Sequence, residues 1–252
     1  MSANLKLEDS AGNIYNFPPD FWIENDSWST NKNIVNKFYA PGGRNIADGF
    51  LQSRTITISG QIRADSQGEY ETKYRTFIQA VLKGGKLTIS NDTVSRYIEV
   101  KLPDGSNGQE LGQRYKEISI DFVSEDTFWK DASENLSINV VAGDDSFTID
   151  TTGTDFVISP EIEIEADQGV DLPSVKIINK NDGSATFTYI DPLFVQGDIV
   201  NINSETGDIK RNGGSTADKF TGVFVRLQPG SNIIEYEGGA ATIIFKYRRL
   251  YL

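Results

Sequence analysis

The sequence predicts a mainly β protein in two parts: a β-sandwich-like N-terminal domain with one α-helix, then a helix-free β-sandwich. Three observations carry this. Short segments of alternating apolar and polar residues recur along the whole chain, the period of half-buried strands. A single apolar stripe at helical period interrupts them, between residues 70 and 82. Texture and charge then change near residue 133: residues 1–133 hold 15 basic and 18 acidic side chains and all three tryptophans, residues 134–252 hold 9 and 18. At 252 residues the chain is long enough for one large or two ordinary domains, and the change places a boundary at about Lys130–Glu134, giving domains 1–133 and 134–252.

In the first domain Ile56, Ile58 and Ile62 alternate along a strand. The helix follows: Tyr70, Tyr74, Phe77, Ile78, Val81 and Leu82 fall on one face at i, i+4, i+7, i+8, i+11 and i+12. Ser66, three residues before Glu69, has the spacing of a capping box, so the helix runs over about 66–83, and Gly84-Gly85 supplies a left-handed stop. Leu87 and Ile89, then Ile98, Val100 and Leu102, then Ile118, Ile120 and Phe122 form further strands. Between the last two lies Pro103-Asp104-Gly105-Ser106-Asn107-Gly108-Gln109-Glu110-Leu111-Gly112-Gln113, too long and polar for a tight hairpin. It is either a mobile loop or an arm ordered by a partner. In the second domain the strands are Leu136–Val140, Phe147–Ile149, Glu161–Ala166, Val175–Asn179, Ala185–Tyr189, Ile199–Ile202, Gly222–Leu227, Ile233–Tyr236 and Ala241–Tyr247. Gly, Asp and Asn punctuate them at the 8–12-residue spacing of a two-sheet sandwich.

Composition removes much chemistry. The chain has no cysteine and no histidine, which excludes disulfides, thiolate or imidazole metal sites and Ser-His or Cys-His catalysis. Carboxylate-pair hydrolysis and oxygen-ligated cation sites survive that exclusion. Twenty-four basic residues against 36 acidic ones, net charge −12, oppose tight nucleic-acid binding, which needs a basic surface. Met1-Ser2-Ala3-Asn4-Leu5-Lys6 lacks the apolar core of a secretory signal, and no stretch reaches the ~20 apolar residues that span a bilayer. The sequence therefore predicts a soluble product of the cytosol that does not insert in membranes.

The remaining motifs have plain structural readings. Glu161, Glu163 and Glu165 share one strand face opposite Ile162 and Ile164; a cation site is one reading, a solvated sheet face the other. Asn179-Lys180-Asn181-Asp182-Gly183 has some calcium-loop character but lacks its alternating aspartates and its late glutamate, so Asp182-Gly183 reads as a hairpin turn of type I′. Gly84-Gly85-Lys86 follows a helix instead of opening one and is no phosphate loop. Phe147, Phe156, Phe187, Tyr189, Phe194, Tyr236 and Tyr247 alternate with polar residues and are assigned mostly to the core. No catalytic residue, metal ligand or cofactor site is assigned.

Two sets of residues carry a family resemblance. Arg54-Thr55-Ile56-Thr57-Ile58-Ser59-Gly60-Gln61-Ile62-Arg63-Ala64, the capped helix and its glycine stop lead to Tyr115–Trp129, which ends Asp126-Thr127-Phe128-Trp129. Gly197-Asp198, Arg211-Asn212-Gly213 and Leu227-Gln228-Pro229-Gly230-Ser231-Asn232 follow near the C-terminus. In this order they resemble the siphophage distal tail protein family, with its D-P-F-W-like run and its G-D, N-G and L-x-P-G-x-N run; Thr127 stands where proline is expected.

The resemblance spans about residues 50–252 and implies a structural virion protein without enzymatic activity. It implies a homohexameric ring at the distal tail tip, made in the host cytoplasm and joining the tail tube protein to the baseplate hub or fibre. The N-terminal belt domain would form the ring and a galectin-like sandwich would project from it. Pro103, Asp104, Asn107, Gln109 and Leu111 are then candidates for an inter-subunit arm. Sugar binding does not transfer with the galectin-like label, since galectins use a tryptophan platform and a histidine-containing polar set. A lectin-like module that binds host-surface carbohydrate is the alternative function, and a carboxylate-dependent glycan hydrolase a third.

Overall fold

A computed structural model describes residues 4–30, 51–91, 94–102, 117–167, 169, 171–183 and 185–252. They fall into two compact units, one ending at Ala132 and one beginning at Ser133.

The first unit comprises β1 (Asn4–Glu8), β2 (Ile14–Asn16), β3 (Trp22–Thr30), β4 (Leu51–Gln61), α1 (Gln67–Lys83), β5 (Gly85–Ser90), β6 (Ser95–Val100), β7 (Glu117–Ser124) and β8 (Trp129–Asp131). One sheet runs in the order β2-β1-β5-β6-β8 and a second in the order β3-β4-β7, with every pairing antiparallel. β1, β2, β3 and β8 are absent from the sequence reading. Alternation buries Ile56 and Ile58 of β4, then Ile62 beyond its end; Ile118 and Phe122 of β7 are buried likewise.

The helix forms as its caps dictate. The Ser66 hydroxyl accepts the Glu69 N–H at 3.2 Å, while the Glu69 carboxylate accepts the N–H of Asp65 at 2.8 Å, one residue upstream of the expected partner. Gly84 ends the helix at φ 63°, and its N–H donates to the Val81 carbonyl at 3.1 Å. Glycine is required there for space too: a Cβ on Gly84 would lie 2.6 Å from the Val100 carbonyl, and one on Gly85 would lie 2.2 Å from that of Glu8.

The apolar stripe is narrower than its spacing suggested. Tyr70, Phe77 and Val81 are buried, Tyr74 and Ile78 are half-buried, and Leu82 is 55% exposed. Leu82 stands twelve residues from Tyr70, which carries it about 120° around the axis and off the packed face.

The second unit comprises β9 (Asn135–Val141), β10 (Asp145–Asp150), β11 (Glu161–Ala166), β12 (Ser174–Asn179), β13 (Ala185–Ile190), β14 (Ile199–Asn203), β15 (Ile209–Arg211), β16 (Gly214–Ser215), β17 (Phe220–Gly222), β18 (Ser231–Glu237) and β19 (Ala241–Tyr247). One antiparallel sheet runs β16-β15-β14-β11-β19-β9, the other β10-β18-β12-β13-β17. Ile162, Ile164, Val200, Ile243 and Phe245 of the first share one buried cluster with Val175, Ile177, Phe187, Tyr189 and Tyr236 of the second. This is a β-sandwich.

Two expectations change here. The strand expected over Gly222–Leu227 is β17 and stops at Gly222, whose φ of 112° turns the chain off the sheet; Leu227 returns only as an isolated bridge to Ile158. The connection after Asn179 is a hairpin, but five residues separate β12 from β13, so Asp182-Gly183 is not a two-residue type I′ turn. The longer loop frees Asn181 to accept the Ile233 N–H at 2.8 Å, and Ala185 N–H closes onto the Asp182 carbonyl at 2.9 Å.

Candidate functional site

The motifs of the sequence are structural knots within each unit. In the first, Arg54 is buried on β4 and Asp26 lies beside it on β3. The Arg54 guanidinium grips the Asp26 carboxylate through Nε and Nη2, the latter at 2.6 Å. Its Nη1 donates to the Thr127 carbonyl at 3.1 Å. Trp129 Nε1 donates to the same carboxylate at 2.9 Å, and the guanidinium lies 5.9 Å from the centre of the Trp129 ring. A buried arginine needs this paired, planar arrangement, because an unpaired charge there is costly. The knot thus ties the start of one motif, Arg54, to the end of the other, Trp129. Sequence reading missed Asp26, whose strand shows no regular alternation.

In the second unit the three short motifs close two knots. Asn212, at φ 48°, accepts the Ile199 N–H at 2.9 Å through its side chain and donates to Asp198 at 2.6 Å. This joins Gly197-Asp198 to Asn212-Gly213. Asn232 is fully buried: its Oδ1 accepts the Gln228 N–H at 2.7 Å and the Asn179 amide at 3.0 Å, and its Nδ2 donates to the Gln228 carbonyl at 2.8 Å. The Thr151 hydroxyl also lies on that carbonyl at 2.6 Å. Thr151 and Asn179 are buried as well. No local pattern marks them as partners of Asn232, since they reach it from 81 and 53 residues away.

Two of the three glutamates of β11, Glu161 and Glu163, meet a cation of the chain itself. Lys246 on β19 donates to Glu163 at 2.8 Å and to Glu161 at 3.3 Å, and Ile162 and Ile164 are buried on the opposite face. The hydrogen bond to Glu163 above all raises the Lys246 pKa, so the ammonium stays charged. Among the described residues no group of three or more Asp and Glu is placed to hold a metal ion. Tyr189 and Tyr236 are buried with raised phenol pKa values, principally by desolvation. No helix among the described residues is long and apolar enough to cross a membrane.

The candidate arm residues Pro103, Asp104, Asn107, Gln109 and Leu111 lie outside the described residues, between β6 and β7. What the structure adds is a surface. Leu136, Ile138 and Val140 project outward from β9 at 57%, 61% and 71% exposure, while Ser137 and Asn139 turn inward and are half-buried. The alternation predicts this strand correctly and leaves its facing open.

Among curated proteins none matches the sequence significantly. The structure is similar to that of the Dit protein of SPP1, described as a paradigm of the hub adsorption apparatus in phages infecting Gram-positive bacteria. That likeness has a TM-score of 0.64 at 13% identity and covers 98% of this chain and 99% of that one. A chain of the phage P2 baseplate in its activated conformation with Ca aligns with a TM-score of 0.45 at 12% identity, over 99% of this chain and 98% of that one. At 13% identity the likeness to SPP1 Dit is one of fold. Residues 152–251 match the family described as siphovirus-type tail component, C-terminal domain. That match agrees with the family that the motifs near the C-terminus resemble.

Proposed function

We propose that the chain is a structural, non-enzymatic subunit of the tail tip of a long-tailed phage or tail-like particle. In this reading residues 1–133 form a six-membered ring and residues 134–252 project from it as a galectin-like domain. The ring joins the tail tube protein to the baseplate hub or fibre, after synthesis in the host cytoplasm. The observation that carries the reading is the family match over residues 152–251, and the likeness of fold to SPP1 Dit along nearly the whole chain supports it. A ring subunit contributes buried surface to two neighbours, and permanent interfaces commonly exceed ~2,000 Å². Pro103, Asp104, Asn107, Gln109 and Leu111 are proposed as the arm that reaches a neighbour. The net charge of −12 suits a lumen along which nucleic acid slides without adhering.

Light scattering on the purified chain tests the reading. Hexamers or stacked pairs of hexamers support it, and replacing residues 103–113 by a glycine-serine linker should lower the assembly state without lowering the melting temperature. A monomer at all concentrations contradicts it. A glycan array probes the lectin alternative; burial of Phe187, Tyr189, Phe194 and Tyr236 removes these rings as sugar platforms, so no micromolar binding is expected.

A further inference from the structure

The outward row of β9 is reversed from what a sandwich strand ordinarily presents. Polar Ser137 and Asn139 point inward beside Phe245 and Ile243 of β19, while Leu136, Ile138 and Val140 point to solvent beside Lys246, Ile244 and Thr242. A one-residue slip would bury the apolar set, yet the seven-residue register with β19 holds it outside. β9 is also the last strand of its sheet, and among the described residues no strand pairs with its outer edge. The strand itself carries none of the common sequence protections of an edge: Asn-Leu-Ser-Ile-Asn-Val-Val has no lysine, no proline and no charge, and its register has no bulge.

Carboxylates mark both ends of the strand. Glu134 precedes β9, and Asp144 and Asp145 follow it; all three are exposed. We propose that β9 accepts an added strand from a different protein. The occupant is an extended segment with alternate apolar side chains beside Leu136, Ile138 and Val140, small polar ones beside Ser137 and Asn139, and a basic residue at each end. Pairing of β9 with β9 of a second copy does not fit: the antiparallel arrangement would bring Glu134 of one copy against Asp144 and Asp145 of the other, and the parallel one would bring like ends together. The three exposed side chains offer on the order of 300 Å² of apolar area, well short of the ~800 Å² per partner of a stable dimer. Main-chain hydrogen bonds to the open edge supply the remainder in strand addition.

The test uses the full chain and a capped peptide of alternating threonine and valine with lysine at each end, compared with the same peptide ending in glutamate. Fluorescence polarisation of the labelled peptides and hydrogen exchange of residues 135–141 are read together. The lysine-ended peptide should bind about tenfold more tightly than the glutamate-ended one, with the advantage shrinking in salt. It should also protect the β9 amides. Ile138→Lys should abolish binding with an unchanged melting temperature, and Val140→Thr, a milder change, should weaken it if the first variant does not fold. Equal binding of the two peptides, no binding at about 1 mM, or protection away from β9 overturns the proposal. So does concentration-dependent self-association that Ile138→Lys removes, which would give the face to a second copy. The inference stands on β9 and not on the ring: a hexamer that ignores the peptide overturns this proposal alone, and a monomer that binds it overturns the ring alone.

Discussion

Phe77→Ala should cost the first unit about 3–5 kcal/mol, the range for deleting a large aromatic side chain from a packed core. Phe77 is 1% exposed, and its ring centre lies 5.4 Å from Phe21, 5.9 Å from Tyr15 and 6.1 Å from Phe17. A ring of this kind buries roughly 150–250 Å², worth about 4–6 kcal/mol for the whole side chain at about 25 cal/mol/Å². Alanine keeps the Cβ, and partial collapse of the neighbours recovers some of the rest. Loss of three aromatic contacts and the residual cavity act in the opposite direction. The assay is urea unfolding followed by tryptophan fluorescence, because Trp22, Trp28 and Trp129 all lie before residue 133 and report this unit separately from the sandwich. Leu82→Ala on the same helix is the control; with Leu82 55% exposed it should cost well under ~1 kcal/mol. A loss below about 1 kcal/mol for Phe77→Ala, or equal losses for the two variants, would refute the packing of α1.

Other perturbations probe the knots and the aromatic cluster. Asp26→Ala strands the buried Arg54 guanidinium and should destabilise by about 3–5 kcal/mol in the same fluorescence assay; a loss below ~1 kcal/mol would mean that solvent reaches Arg54. Asn232→Ala orphans the Gln228 N–H and one Asn179 proton, so far-UV melting of the sandwich should show a loss of about 1–3 kcal/mol per orphaned group, while an unchanged melt would refute the knot. Burial pushes the Tyr15 phenol up to about 12 from 10.0. Below pH 10 both folded and unfolded states hold the proton; above it the unfolded state loses its proton first. This contribution to stability is therefore intact below pH 10.0 and lost as pH rises towards 12. Tyr15→Phe should remove it, visible as a shallower decline of the urea midpoint between those pH values, and an identical decline in the variant would contradict the assignment.

What was legible in the chain was what short-range pattern encodes. Ser66 acts on Glu69 and Gly84 on Val81, each three residues away, so the helix ends could be read directly, and β11 and β19 have the bounds their alternation predicts. What escaped depends on distant partners. Asp26 is 28 residues from Arg54, and Thr151 and Asn179 meet Asn232 only once β10 and β12 pair on either side of β18. β9 is the sharper case: period two is the same whichever face turns inward, so pairing with β19, not alternation, decides that Leu136, Ile138 and Val140 face water. Gly222 and the five-residue hairpin loop changed element ends without changing the architecture, because core positions such as Val225 and Leu227 are buried whether or not they lie in a strand.

The claim of a ring-forming tail component is tested most directly by native mass spectrometry of the full chain, sprayed from near-neutral buffer over a range of concentrations. The account predicts a closed species of six copies, or twelve when rings stack, with no ladder of intermediate sizes, as closed symmetry requires. A spectrum of single copies throughout, or an open series of every size, would contradict it.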